Sequence, residues 1–183
     1  MIILASNSPR RREILSLLDV EFTVIGAKDE PEPDLSLSPA ASVERIARFK
    51  AESVAEGNET VIGADTAVFL DGEFLGKPKD ENDAAGMLKK LSGRTHSVIT
   101  GVCIVHKGRT VCFSENASVT FNPVSDEEIK KYIACGEPMD KAGAYGIQGR
   151  GARFIKKIDG DFYTVMGLPC AELYRQLKAL EII

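Results

Sequence analysis

The apolar and polar positions of the chain follow two different periods. Continuous or alternating apolar runs predict strands, and apolar residues spaced three and four apart predict amphipathic helices. The predicted strands cover residues 1–5, 60–70, 73–78, 95–105, 109–121 and 154–158, and the predicted helices cover residues 9–18, 41–55, 80–91, 126–135 and a segment that begins at residue 169. This order indicates an α/β fold with a mixed, twisted sheet and flanking helices, because the regular strand–helix alternation of a parallel doubly wound fold is missing.

The length and charge of the chain narrow the classes of function. With 183 residues the chain suits one domain, covering residues 1–183, that can bury a sizeable core. The formal net charge of −4 argues against general binding to nucleic acid or to an anionic membrane. No apolar run is long enough to span a bilayer, and no secretory leader is recognisable. We therefore expect a cytoplasmic protein without nucleic-acid or membrane partners.

Three arginines occupy the first turn of the first predicted helix. Ser8 and Pro9 fit its N-cap and first position, and Arg10, Arg11 and Arg12 follow them. The positive end of the helix dipole favours acidic residues at this place, so a cluster of cations needs another reason. Free backbone N–H groups point the same way, which predicts an anion site best explained by phosphate. The alternative is that some of these arginines are solvated, with Arg12 the first candidate.

A lysine interrupts the apolar face of the helix predicted at residues 41–55. Val43, Ile46 and Ala47 form this face, and Lys50 follows seven residues after Val43 in the middle of it. A lysine at such a position either extends its amine to solvent or meets an anion inside the protein. The pattern favours the second of these interpretations.

An aspartate and a lysine break the apolar pattern near a predicted hairpin. The dipeptide Asp71-Gly72 between two apolar runs is a strong signal for a tight turn. Asp65 lies inside the first of these strands, where aspartate is disfavoured. Counting outward from the turn places Lys77 across from Thr66 and beside Asp65, if the register holds that far. The two charges either form a cross-strand ion pair or belong to a site, and a carboxylate inside an apolar strand favours the site.

Two loop segments carry further candidates. Residues 26–39 are rich in proline and acidic residues, Glu30 and Glu32 among them, and this segment is either a solvated acidic loop or a holder for a cation. Residues 140–151 contain four glycines around Gln148. Such a segment suits a loop whose backbone approaches a ligand closely.

The cysteines give no sign of a metal site. None of the four has CxxC spacing, and the chain contains only two histidines, so a zinc site is not expected. A two-residue turn at Lys107-Gly108 would place Cys103 directly opposite Cys112. For a cytosolic protein we predict that these two cysteines are reduced core thiols and not a bridge.

The residues that break local rules combine cations with carboxylates. They are Arg10, Arg11, Lys50, Asp65 and Lys77, with Glu30 as a further candidate. Such a set matches a polyphosphate with a divalent metal, Mg²⁺ or Mn²⁺, because cations neutralise phosphate oxygens while carboxylates hold the metal or orient a water. The phosphate-binding motif GxxxxGK[ST] is missing, and no cysteine or serine has an evident histidine partner. Water is therefore the expected nucleophile.

Several blocks of the sequence together resemble the Maf family. They are residues 6–11 (SNSPRR), 63–66 (GADT), 76–78 (GKP) and 140–149 (DKAGAYGIQG), spread in the family's order over nearly the whole chain. Maf proteins are nucleoside triphosphate pyrophosphatases that were first described as septum-formation inhibitors. The resemblance implies an α/β fold with two lobes around a central groove, related to the inosine-triphosphate pyrophosphatases. It also implies metal-dependent cleavage of a nucleoside triphosphate to the monophosphate and pyrophosphate.

The resemblance also implies roles for individual residues. The residues implied for phosphate binding are Ser6, Arg10, Arg11, Lys50 and Lys77. Those implied for the metal and the attacking water are Glu30 and Asp65, with Asp65 as the proton acceptor. Those associated with substrate choice are Arg10, Thr66 and Gln148. The block that ends at Gly149 is similar to the branch of the family that acts on dTTP and UTP, and less similar to the branch that acts on 7-methyl-GTP.

The pyrimidine preference has a physical interpretation. The amide of Gln148 offers one donor and one acceptor, which can match O4 and N3–H of uracil or thymine. Cytosine reverses this pattern and would leave the amide mispaired, which is a strong basis for rejection. We therefore expect a preference for UTP and dTTP over CTP.

Other functions would use much of the same chemistry. A pyrophosphatase for inosine-type, methylated or otherwise modified nucleotides would need the same cations and carboxylates. A nucleotide sensor that regulates cell division without catalysis would need the cations but not a water-activating carboxylate, so Asp65 favours hydrolysis. The resemblance also suggests a homodimer.

Overall fold

A computed structural model describes the whole chain, from Met1 to Ile183, as helices packed with a mixed seven-stranded sheet. The strands are β1 (Ile2–Leu4), β2 (Phe22–Val24), β3 (Thr60–Leu70), β4 (Glu73–Leu75), β5 (Thr95–His106), β6 (Arg109–Phe121) and β7 (Ile155–Asp159). The helices are α1 (Pro9–Ser16), α2 (Pro39–Glu52), α3 (Glu81–Leu91), α4 (Asp126–Ile133), α5 (Phe162–Met166) and α6 (Cys170–Ala179). Short 3-10 helices cover Glu137–Asp140, Ala142–Ala144 and Arg150–Phe154. This architecture confirms the predicted α/β class.

The strand order of the sheet is β2-β1-β3-β5-β6-β7, with β4 paired to β3. The chain forms two compact units, each built from separate stretches of sequence. Unit one comprises Met1–Thr66, Ile99–Glu115 and Tyr163–Ile183, and unit two comprises Ala67–Val98 and Asn116–Phe162. None of the helices is both long and apolar enough to cross a membrane.

Unit one is built on the central parallel strand β1 and on helix α2, which packs closely against the sheet. Strand β1 pairs in parallel with β2 on one side and with β3 on the other. Helix α2 approaches the sheet closely at two glycines, because a Cβ at Gly63 would lie 2.2 Å from the Ala47 carbonyl oxygen and a Cβ at Gly101 would lie 2.6 Å from the Val43 carbonyl carbon. The apolar face predicted for this helix is buried. This close contact brings the Lys50 side chain to β3.

In unit two, a tight turn joins β3 to β4. Asp71 and Gly72 both have positive φ angles, 51° and 82°, as the predicted two-residue hairpin turn requires. The ladder follows the predicted register from Leu70, opposite Glu73, to Val68, opposite Leu75. The strand ends there, so the ladder does not extend to Lys77.

An aromatic cluster forms much of the core of unit two. It contains His96, Phe121, Tyr132, Tyr145 and Phe154, whose rings meet largely edge to face at centroid distances of 4.8–6.1 Å. Edge-to-face contacts of this kind add to the stabilisation from burial. The cluster lies directly against the segment that carries Gln148, because Tyr145 belongs to both.

Several boundaries differ from the predictions. Helix α1 ends at Ser16 and not at residue 18, because the following residues turn toward β2. The last predicted strand begins one residue later, at Ile155, and helix α5 was not predicted. The region predicted as one glycine-rich loop contains short 3-10 helices.

The prediction for Cys103 and Cys112 is half right. The turn at Lys107-Gly108 has the expected positive φ angles, 47° and 75°, and it places the two cysteines opposite each other with their Cα atoms 4.1 Å apart. The structure joins them as a disulfide, so the prediction of reduced thiols is wrong. The prediction rested on the expected redox compartment, whereas a facing pair of cysteines on adjacent strands is already close enough to be bridged.

Candidate active site

A buried ammonium group lies at the centre of the candidate site in unit one. The Lys50 side chain is only 5% exposed, and its Nζ lies 2.9 Å from Asp65 Oδ1 and 3.0 Å from Glu30 Oε2. The same nitrogen donates to the Ala64 carbonyl oxygen over 3.4 Å. Lysine is almost never buried without a partner, and here two carboxylates and a carbonyl supply three. Lys50 therefore meets anions inside the protein, as its position on the apolar face predicted.

The carboxylate partners of Lys50 come from different kinds of structure. Asp65 lies on β3 with a side chain that is 19% exposed, and Glu30 lies in the loop after β2 with a side chain that is 52% exposed. The register counted outward from the turn does not hold as far as Lys77, because β4 ends at Leu75, opposite Val68. Asp65 pairs with Lys50 instead.

A second network in unit one surrounds the guanidinium of Arg11. Its Nε donates to the Gly167 carbonyl oxygen over 2.8 Å, its Nη1 to Ser6 Oγ over 3.2 Å and its Nη2 to Thr66 Oγ1 over 3.1 Å. Ser6 Oγ also accepts the backbone N–H of Ser8 at the start of α1. The planar fork of arginine supports such divided contacts, which a lysine could not reproduce.

The hydroxyl groups of Thr66 and Thr100 continue the hydrogen-bond network of Arg11, and the donor of each bond can be assigned. Thr100 Oγ1 donates its single hydrogen to the Thr164 carbonyl oxygen over 2.7 Å. Because Thr66 Oγ1 lies 2.9 Å from Thr100 Oγ1, Thr66 must be the donor between the two, and it accepts from Arg11. The sequence interpretation missed Thr100, although a polar residue inside the apolar run at residues 98–105 was a signal of the kind that identified Asp65.

Burial and the neighbouring charges shift the pKa of Arg11 in opposite directions. Burial lowers the pKa of its guanidinium, the carboxylate of Asp65 raises it, Arg10 lowers it and Glu30 raises it, with a net lowering. Arginine nevertheless stays charged in proteins. A partly desolvated cation of this kind interacts strongly with an incoming anion, because less water competes for it.

Glu30 and Asp65 are the carboxylates of unit one that are candidates for holding a divalent metal. No group of three or more His, Cys, Asp or Glu side chains is arranged to hold a metal ion. Glu30 and Asp65 are nevertheless both within 3.0 Å of one cationic nitrogen, so their oxygens already converge on a position of positive charge. Mg²⁺ and similar ions are commonly held by one or two carboxylates together with waters and substrate phosphates. This donor set fits a metal shared with a polyphosphate and does not fit a closed protein cage.

The remaining predicted residues differ in their surroundings. Arg10 is partly buried on α1, whereas Arg12 on the same turn is exposed, in agreement with its interpretation as a solvated residue. In unit two, Lys77 is exposed after the end of β4, and Gln148 is exposed in the glycine-rich segment. Glu32 contributes its backbone carbonyl to Arg45, while Glu30 pairs with Lys50.

Two buried groups in unit two adjoin the glycine-rich segment. His96 Nε2 lies 2.7 Å from the Tyr145 hydroxyl, while His96 Nδ1 is buried without a hydrogen-bond partner. Burial lowers the pKa of His96 to about 4 and raises the pKa of Tyr145 well above its usual value. Both groups are therefore neutral near pH 7, and they anchor the start of the segment as an uncharged pair.

Comparison with known proteins agrees with this architecture. The family model for Maf-like proteins matches residues 1–180. A Bacillus velezensis protein named dTTP/UTP pyrophosphatase is 51% identical over 183 residues, which cover 99% of this chain and 97% of that protein. Proteins with the same name from Aquifex aeolicus and Bacillus cytotoxicus are each 51% identical, covering 100% and 98% of this chain and 96% and 95% of their own length. The chain therefore belongs to the Maf family.

Proposed function

We propose that this protein is a nucleoside triphosphate pyrophosphatase that hydrolyses dTTP and UTP to the monophosphate and pyrophosphate. The relatives that match it at 51% identity over nearly their whole length carry that name. The observation within the structure that carries the proposal is the buried Lys50 between Asp65 and Glu30. A protein that only binds phosphate needs cations, but it does not need a carboxylate that can activate water, which Asp65 would supply.

In the proposed reaction, a water attacks the α-phosphorus of the nucleotide. The new bond joins the water oxygen to phosphorus, the bond from phosphorus to the bridging oxygen breaks, and pyrophosphate leaves with the electron pair. Asp65 accepts the proton of the water, which a partly exposed carboxylate on a rigid strand is well placed to do.

The cations of the site stabilise the charge that this reaction spreads over the phosphates. Lys50 and Arg11 are already ordered by hydrogen bonds, so little reorganisation is needed when a polyphosphate arrives. We assign Ser6, Arg10 and Lys77 to phosphate binding as well. Glu30 and Asp65 would hold a divalent cation, Mg²⁺ or Mn²⁺, which would supply Lewis-acid stabilisation of the phosphate charge.

We further propose that Gln148 reads the pyrimidine base, together with Arg10 and Thr66 in substrate choice. The amide of Gln148 presents the donor and acceptor that uracil and thymine require, and it is exposed for such contact. Replacement by glutamate or alanine should therefore reduce the preference for UTP over CTP. An unchanged preference in both variants would contradict this role.

The decisive experiment measures pyrophosphate and monophosphate release from a panel of nucleoside and deoxynucleoside triphosphates with Mg²⁺ or Mn²⁺. We expect release from dTTP and UTP. Activity confined to inosine-type or methylated nucleotides would keep the class of enzyme and overturn the pyrimidine assignment. Nucleotide binding without any turnover would instead support a sensor that regulates cell division.

Three further assignments belong to the same proposal. We place the protein in the cytoplasm, where nucleoside triphosphates are available, and we propose a homodimer on the basis of the family. We also propose that Glu30, and not Glu32, serves the metal, because only Glu30 pairs with Lys50. Glu30→Gln should therefore weaken the metal dependence of turnover far more than Glu32→Gln does, and equal effects would contradict the assignment.

A further inference from the structure

A single carboxylate in unit two binds the backbone of the segment that carries Gln148. We call residues 145–151 the glycine loop. Glu137, in the 3-10 helix after α4, accepts the backbone N–H of Arg150 at Oε2 over 2.8 Å and the backbone N–H of Gly151 at Oε1 over 3.1 Å. Both bonds lie on the C-terminal side of Gln148.

The N-terminal side of Gln148 is held by a neighbouring hydroxyl group. Tyr132 donates its hydroxyl hydrogen to Glu137 Oε1 over 2.8 Å and accepts the backbone N–H of Gly146 over 3.2 Å. The ring of Tyr132 is fully buried and meets Phe154 edge to face, so the hydroxyl cannot move far. Glu137 and Tyr132 therefore form one clamp, and its three backbone contacts lie on both sides of Gln148.

The glycines of the loop are explained by this clamp. A Cβ at Gly149 would lie 2.5 Å from both carboxylate oxygens of Glu137, and a Cβ at Gly151 would lie 2.7 Å from the Tyr132 hydroxyl. A Cβ at Gly146 would lie 2.8 Å from Cε of Lys141, whose ammonium donates to the Glu137 carbonyl oxygen. These three glycines therefore admit groups of the protein itself, while the predicted approach of this segment to a ligand stays a prediction.

We propose that Glu137 is a specificity-determining positioning residue, which fixes the backbone on both sides of Gln148 and so sets the direction in which its amide meets the base. This inference rests on the proposed function, in which Gln148 reads the pyrimidine. Base discrimination by one amide requires its donor and acceptor to be distinguished in space, and a loop free to rotate would present either one to either base.

The charge of Glu137 is essential to this arrangement. Burial alone would raise the pKa of Glu137, but the hydrogen bonds from the Arg150 backbone, the Tyr132 hydroxyl and the Gly151 backbone outweigh it and leave the pKa lowered. Every group that faces its two oxygens is a donor. Glutamine would turn an NH₂ group toward one of these donors, so Glu137→Gln keeps the size of the side chain and breaks the clamp.

The test compares kcat/KM for UTP and for CTP in the wild type and in Glu137→Gln. We expect the UTP-to-CTP ratio to fall about tenfold, because small misplacements of positioning groups cost one to two orders of magnitude. The kcat for UTP should change much less than this ratio. Glu128→Gln is the matched control, because Glu128 also accepts a backbone N–H, from Ser125, but at the start of α4. If Glu137→Gln does not fold, Tyr132→Phe tests the same clamp by removing its hydroxyl.

Two additional measurements separate this inference from the proposed function. Amide hydrogen exchange at Arg150 and Gly151 should accelerate in Glu137→Gln and not in Glu128→Gln, whatever the enzyme hydrolyses. In a Gln148→Ala background, Glu137→Gln should have no further effect on the UTP-to-CTP ratio. A ratio that responds to Gln148→Ala but not to Glu137→Gln would overturn the inference alone. A ratio that responds to neither would overturn both the base-reading role and the inference that rests on it.

Discussion

Each unit contains a region organised around one charged side chain, the buried Lys50 in unit one and the partly buried Glu137 beside the glycine loop in unit two. The two side chains differ in the kind of group that they bind. Lys50 is held by carboxylates, so charged side chains hold one another. Glu137 is held by backbone N–H groups and a phenol, so one charged side chain holds the chain itself.

This difference suits two different tasks. An ion pair between side chains can be exchanged for a new one when a phosphate or a metal arrives, because the backbone need not move. A carboxylate bonded to several backbone groups cannot be exchanged without releasing the loop. The first arrangement is appropriate for chemistry and the second for recognition. Substitutions of Lys50 and its carboxylate partners should therefore change the rate, and substitutions at the glycine loop and its neighbours should change selectivity or stability.

Asp65→Asn is the sharpest test of the idea that Lys50 and its carboxylate partners serve the chemistry. Loss of the proposed proton acceptor should lower kcat about a thousandfold, within the range that general base catalysis contributes. Lys50 would keep Glu30 as a partner, so the fold should persist. Pyrophosphate release and circular dichroism together measure both expectations. Near-normal turnover would show that another group accepts the proton.

The second prediction concerns stability and the uncharged pair in unit two. His96 in the folded protein has a pKa of about 4, below the usual value of 6.5, because of burial. The unfolded chain therefore takes up this proton first as the pH falls, and stability is lost between pH 6.5 and 4. The loss amounts to about 3 kcal/mol from this group.

His96→Gln provides the comparison for this pH dependence. The variant can still hydrogen-bond to Tyr145 but cannot titrate. Urea unfolding at pH 6.5 and at pH 4.5 should therefore show a shallower loss of unfolding free energy than in the wild type. Parallel losses in the two proteins would mean that the pKa of His96 is the same in the folded and the unfolded state.

The third prediction separates neighbouring arginines on one helix turn. Arg11→Lys cannot reproduce the contacts to Ser6, Thr66 and Gly167, so KM should rise and kcat should fall, with kcat/KM lower by about a hundredfold. Arg12→Lys is the matched control, because Arg12 is exposed on the same helix, and its kinetics should stay close to the wild type. Similar losses in both variants would indicate a general effect of charge.

The fourth prediction concerns Lys77, the one residue of unit two to which we assign a role in phosphate binding. Lys77 belongs to unit two but is assigned to the phosphates, so Lys77→Ala should raise KM and lower kcat together, by about tenfold in kcat/KM. Because Lys77 is exposed, the melting temperature should stay unchanged. If only the choice between bases changes, unit two contributes recognition alone and the phosphate role of Lys77 is wrong.

The features that could be predicted from the sequence depend on local chemistry. Positive φ angles at Asp71-Gly72 and Lys107-Gly108 follow from turn composition. The burial of Lys50 follows from helical periodicity, and the odd position of Asp65 follows from strand composition. In each case the cause lies within a few residues of the effect.

The features that were missed depend on distant parts of the chain. Arg11 and its acceptor Gly167 are 156 positions apart, and Thr100 and its acceptor Thr164 are 64 positions apart. The pairing of Asp65 with Lys50 was also missed, because the two residues lie 15 positions apart on different elements. Glu137 escaped notice because an acidic residue beside a turn is ordinary in sequence, and only the fold shows which backbone groups it meets.

The long separation between Arg11 and Gly167 has a consequence for how the protein is made. Helix α1 is among the first elements to leave the ribosome, but the carbonyl that orients its arginine is among the last. Contacts this distant in sequence slow folding, because a large loop must close before they contribute. The nascent chain therefore carries Arg11 for most of translation with Ser6 and Thr66 available but without the Gly167 carbonyl. A chain that ends before Gly167 would therefore lack the carbonyl group that binds Arg11 Nε.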